Sequence, residues 1–191
     1  MPFSLAPHSL GLSHPSSWLW TITLAVVWLL LMLAYSPLAD KIATRLVAAP
    51  PTLNAFRALQ QSKAKLVLGI FVAWILGGFL EEIVLRGFVL QSVRTFLASR
   101  MPRPLATAIA ICAAAALAAL FHLYQGPRGV VIIAQLSILF GLLFVLSGSN
   151  LWTVILCHGF YDTIAFIRFA TKKSKYAQPD AKPALDPGPD T

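Results

Sequence analysis

The sequence predicts an all-α membrane protein: a polytopic bundle of about five transmembrane helices, with an interfacial helix in the first loop. Three observations predict it. Of the 191 residues, 58% are hydrophobic and only 12% are charged, roughly half the charge of an ordinary soluble domain. Mean hydropathy is +0.75. Apolar runs long enough to cross a bilayer recur along the chain, separated by short stretches of turn residues and cations.

The net charge of +8 fits membrane topology rather than nucleic-acid binding. The cations flank apolar runs and form no patch interleaved with aromatic residues, so membrane lipids are the expected surroundings and no nucleic-acid partner is expected. Cys112 and Cys157 both fall inside apolar runs, and packing accounts for each.

Residues 1–17 read as a flexible N-terminal tail with three prolines, and residues 18–65 as a first span with a basic loop. Trp18 to Leu33 is unbroken and apolar, with Trp18, Trp20 and Tyr35 at interface depth. A cleaved signal peptide is disfavoured, because a positive start is missing and Pro37 spoils the cleavage site. In the basic connection at 36–65, Ile42, Leu46 and Val47 recur at helical spacing and suggest a surface-lying segment. Residues 66–170 read as a helical bundle. Its spans are Leu66 to about Leu97, Leu105 to Tyr124, Val130 to Leu146 and Leu151 to Ala170. Residues 171–191, lysine-rich and then proline-rich, read as a disordered tail. The heavier positive charge lies on the side of the 36–65 loop, Arg128 and the C-terminal tail. That puts the N-terminus outside and the C-terminus in the cytoplasm.

Ionisable groups within spans are costly, and they mark function or partners. The second span carries Glu81, Glu82 and Arg86. Glu82 and Arg86 are four apart, on one helical face and in the favoured order. Glu81 is turned away by about 100°, free to work on a water or a substrate. A structural ion pair would explain Glu82 and Arg86 but not Glu81. His122 stands near the end of the third span. In the fifth, His158 has Asp162 four residues on, a pair that fits either helix glue or tautomer-fixing and metal ligation. Six polar groups from three helices make a set suited to activating water.

The run Gly77-Gly78-Phe79-Leu80-Glu81-Glu82-Ile83-Val84-Leu85-Arg86-Gly87 resembles the Glu-Glu-x-x-x-Arg signature of the CPBP (Abi) family. That family comprises intramembrane metalloproteases related to type II CAAX prenyl endopeptidases and to bacteriocin self-immunity proteins. Its second signature is Phe-x-x-x-His. Here His122 supplies the histidine, Ala118 holds the Phe position, and Phe121 is adjacent. His158 and Asp162 match the third, His-x-x-x-Asn/Asp. The resemblance covers roughly residues 70–170.

It implies an endopeptidase that cuts a peptide bond in or beside a membrane, with a bacterial inner (plasma) membrane as the expected location. Glu81 would be the general base and Glu82 with Arg86 its support. His122, His158 and Asp162 would bind a divalent metal, zinc if one is held, or stabilise the oxyanion. The partner would be a peptide or protein substrate at the membrane, a prenylated one among the options. The alternative is a catalytically idle interaction or self-immunity protein. A small transporter would call for internal repeats, and none is visible. One difficulty attends the site: straight, perpendicular spans would separate Glu81 from His122. The second span must therefore tilt, kink near Gly87 or start late.

Overall fold

Ser17 opens the first long helix. Its Oγ accepts from the Trp20 N–H at 3.2 Å, satisfying one of the amides a helix start leaves free. The computed structural model describes residues 6–171; the lysines expected in the C-terminal tail lie outside them. All the described regular structure is helical. We label α1 (Pro7–Leu10), α2 (Trp18–Leu46), α3 (Lys63–Ala98), α4 (Arg103–Phe121), α5 (Gly126–Leu146) and α6 (Leu151–Thr171). Five of these helices, α2 to α6, are long and apolar enough to cross a membrane.

Two expectations change. The first helix does not stop near Leu33 but runs through Pro37 to Leu46. Proline is tolerated in membrane helices; the carbonyl it leaves without a helical donor is that of Leu33, next to the Met32 O that accepts from Ser36 Oγ at 2.8 Å. Ile42 and Leu46 therefore continue α2 rather than forming a separate surface helix. The ordered part of the connection is instead a 3₁₀ turn at Asn54–Gln60. Part of the N-terminal segment, expected as a loose tail, packs. Leu10 is buried, Gly11 O accepts from the Leu151 N–H at 2.9 Å, and Leu12 O accepts from Trp152 Nε1 at 3.2 Å.

The helices close a ring. The second half of α3 packs on α4, α4 on α5, α5 on α2, α2 on α6, and α6 on the first half of α3. The buried core runs through Met32, Leu90, Ala114, Leu143, Phe144 and Val154. Polar side chains join non-sequential helices. Tyr35 Oη donates to Gln135 Oε1 at 2.9 Å, and Ser36 Oγ pairs with Tyr161 Oη at 2.8 Å. Arg128 meets Asp40 Oδ1 through Nη2 at 2.6 Å and Nε at 3.2 Å.

Helix length resolves the difficulty over Glu81 and His122. α3 has 36 residues and α4 only 19. The two run antiparallel, so the end of α4 faces the middle of α3 and leaves its first half to α6. α3 also winds unusually, with wide π-helical turns over Trp74–Glu81 and Ile83–Leu90. Such turns are rare, are mostly single, and gather at functional sites.

α3 and α6 approach most closely at glycines. A β-carbon on Gly78 would meet the Gly159 backbone at 3.4 Å, and one on Gly159 would fall 2.5 Å from the Trp74 ring. That ring cannot swing aside, because Nε1 donates to Thr163 Oγ1 at 3.0 Å and its edge packs on Phe160. Gly159→Ala is accordingly expected to lower stability by about 1–3 kcal/mol, the usual cost of overpacking. A lowered thermal midpoint in detergent checks it, with Gly78→Ala as the comparison because a β-carbon there meets its nearest neighbours at 3.4 Å, an ordinary contact distance.

Candidate active site

Arg86 is the largest fully buried side chain, at 1% exposure. A guanidinium taken from water needs its donors met and its charge balanced. Nη1 donates to Glu82 Oε1 at 3.0 Å, the partner one helical turn before it. Nη2 donates to the Ser137 carbonyl at 2.9 Å and to Ser137 Oγ at 2.7 Å. The guanidinium also lies 5.4 Å from the Phe140 ring centre, within cation–π range.

Glu82 is 0% exposed, and its Oε1 takes a second bond. His158 Nδ1 donates to it at 2.6 Å. The imidazole stacks on Phe140, with centroids 4.5 Å apart and planes at 25°. Its other nitrogen, Nε2, stands 3.5 Å from Asp162 Oδ2. A continuous polar chain thus runs Ser137–Arg86–Glu82–His158–Asp162, from α5 through α3 to α6. Among the described residues, Glu82 Oε2 and Arg86 Nε have no hydrogen-bond partner.

Beside this chain lies a cavity of about 470 Å³ between α3, α5 and α6. Glu81, Arg86, His122, His158 and Asp162 all line it; Glu82 does not, and sits behind them. Glu81 is half-buried, and its carboxylate accepts no hydrogen bond from the described residues. His122 follows the last residue of α4. Its Nδ1 lies 2.8 Å from the Ala118 carbonyl, which can only accept, so Nδ1 carries the proton. Ala118, at the position where the resemblance expects Phe, is buried. Leu53 and Phe56 from the first connection, Tyr124 and Gln125 after His122, and Phe166 and Phe169 of α6 also wall the cavity. Thr52 N–H donates to Gln125 O at 2.8 Å, joining the connection to the His122 turn.

Gly77 leaves room for the α6 pair, since a β-carbon there would lie 3.0 Å from Asp162 Oδ2. Ser137 and Phe140 were missed by sequence reasoning. The available signal was a hydroxyl inside an otherwise apolar run, a group that must find a partner within the bundle.

The donor chemistry suits a divalent cation in part. Both histidines commit Nδ1–H to an oxygen, the second-layer contact that aims Nε2 at a metal. The 3.5 Å from His158 Nε2 to Asp162 Oδ2 is close to the separation of neighbouring ligands about 2.0–2.2 Å from a tetrahedral ion. Among the described residues, however, no three histidine, cysteine or acidic side chains gather around one point.

The family model described as type II CAAX prenyl endopeptidase Rce1-like matches residues 63–164, just over half of the chain. The match begins with α3 and takes in all six polar positions. No curated protein and no solved structure matches the chain.

Proposed function

Because the chain belongs to the Rce1-like type II CAAX prenyl endopeptidase family, we propose that it is an intramembrane endopeptidase. Its reaction is hydrolysis of a peptide bond in a membrane-associated protein substrate, prenylated substrates included. One observation carries the reading. Glu81 faces the cavity with no hydrogen-bond partner among the described residues, while its neighbour Glu82 takes up both the Arg86 cation and His158. Two adjacent carboxylates thereby have separate roles.

Glu81 takes a proton from a water in the cavity as that water attacks the scissile carbonyl. The resulting carboxylic acid returns the proton to the leaving amine as the carbon–nitrogen bond breaks. The oxyanion forms on the side of His122 and His158, where groups already oriented toward developing negative charge lower the barrier. A divalent ion, were one held, would draw on His122, His158 and Asp162, which do not gather around one point here, and would supply positive charge at that oxygen. Arg86 keeps Glu82 in place, and Glu82 fixes the His158 ring. The positive-inside bias orients the N-terminus outward and the C-terminus to the cytoplasm.

The test uses purified protein in lipid vesicles and a fluorescent peptide ending in a prenylated CAAX sequence, beside its unprenylated twin. Cleavage by the wild type and none by Glu81→Gln is the expected result. A wild type that cuts neither peptide, or equal cleavage by the variant, overturns the reading and turns attention to an idle interaction or self-immunity protein.

Phe56 rests against Tyr124, Phe166 and Phe169, with centroids 5.5–6.4 Å apart. It forms an apolar wall away from the acids. Phe56→Ala is expected to raise KM about tenfold, the scale of one lost aromatic contact of roughly 1.4 kcal/mol, with kcat little changed. Steady-state kinetics separate the two.

A further inference from the structure

α5 contributes none of the six residues read as a site from sequence, yet it grips two of them. Ser137 and Phe140 are three apart, so they share a helical face, and that face meets the polar chain. Ser137 is 4% exposed, and both its hydroxyl and its carbonyl accept from Arg86 Nη2, at 2.7 and 2.9 Å. Phe140, also 4% exposed, lies under the guanidinium and flat against the His158 imidazole. Arg86 Nε has no partner among the described residues, so the orientation of the guanidinium rests on Glu82 at one end and Ser137 at the other.

We propose that Ser137 is a positioning residue, held by α5, that sets the His158 imidazole through Arg86 and Glu82, with Phe140 as the surface on which the ring rests. The inference rests on the endopeptidase reading for its consequence in rate, but not for its consequence in geometry. Simple helix glue would call for only one contact between α5 and α3. Here the hydroxyl of Ser137 and the ring of Phe140 hold two links of one chain, Arg86 and His158, and that histidine faces the cavity. Displacing a reacting group by about an ångström costs on the order of a hundredfold in rate.

Ser137→Ala is tested beside Ser137→Thr, which keeps a hydroxyl, and Ser137→Cys, which keeps the volume with a weak acceptor. Four quantities are measured on the full-length protein: kcat and KM on the peptide above, the thermal midpoint, and the far-downfield proton resonance of His158 Nδ1. Glu82→Gln identifies that resonance. The expected result for Ala and Cys is a kcat lower by about tenfold or more with KM within twofold. Their thermal midpoints stay close to wild type and the resonance shifts, while Thr restores both rate and resonance. An unmoved resonance in Ser137→Ala overturns the proposal whatever the rate does. Failure of both Ala and Cys variants to accumulate as folded protein also overturns it, making Ser137 a fold residue. A wild type without peptidase activity sinks the endopeptidase reading, and the resonance alone then decides the placement of His158.

Discussion

Glu81→Gln is expected to abolish peptide hydrolysis while leaving a folded protein. The change keeps the size and removes one charge and the ability to take a proton. General-base catalysis is worth about 10²- to 10⁴-fold, so kcat is expected to fall by that factor. The carboxylate of Glu81 accepts no hydrogen bond from the described residues, so neutralising it leaves no buried partner stranded and stability holds. Single-turnover cleavage in vesicles, with a melting curve on the same preparation, checks both halves. A variant that unfolds would mark Glu81 as structural; one that cleaves normally would remove it from the reaction.

Arg86→Ala is expected to have the largest effect on stability. The side chain is 1% exposed and meets Glu82, itself 0% exposed, at 3.0 Å. Its loss leaves a carboxylate in the bundle with His158 as its only remaining donor among the described residues, and strands Ser137 Oγ. Breaking a buried pair from one side costs about 3–5 kcal/mol, a large share of a typical domain's total. Arg86→Ala is therefore expected to melt far below wild type or fail to accumulate. The double variant Arg86→Met with Glu82→Gln should recover part of that loss, since both charges leave together. Recovery of stability without activity is the expected pattern. A single variant as stable as wild type would show that the charge on Glu82 needs no cation.

Much of this was legible in the sequence, for a physical reason. Hydrocarbon demands unbroken apolar runs, so α3 to α6 announce themselves. It penalises charge, so Glu81, Glu82, Arg86, His158 and Asp162 stand out against it. The four-residue spacing of Glu82 and Arg86 also carried its meaning into the fold. What stayed hidden depends on tertiary context. The apolar run from Trp18 gives out near Leu33, but α2 carries on through Pro37 to Leu46. The wide turns of α3 leave no mark in composition. His122 looked out of reach because straight, perpendicular spans would each cross in full, whereas the 19-residue α4 ends beside the middle of the 36-residue α3. Ser137 and Phe140 looked like ordinary interior residues until their partners on α3 and α6 came into view.

The cavity is walled at one end by Leu53, Phe56, Tyr124, Gln125 and Phe169. At the opposite end of the bundle, Leu10 presses its carbonyl toward Gly87 and the Gly11 carbonyl ties to Leu151. Such a body is sided. On the endopeptidase reading it is expected to draw its client from a single leaflet, and to leave intact a tail exposed on the far face of the same membrane.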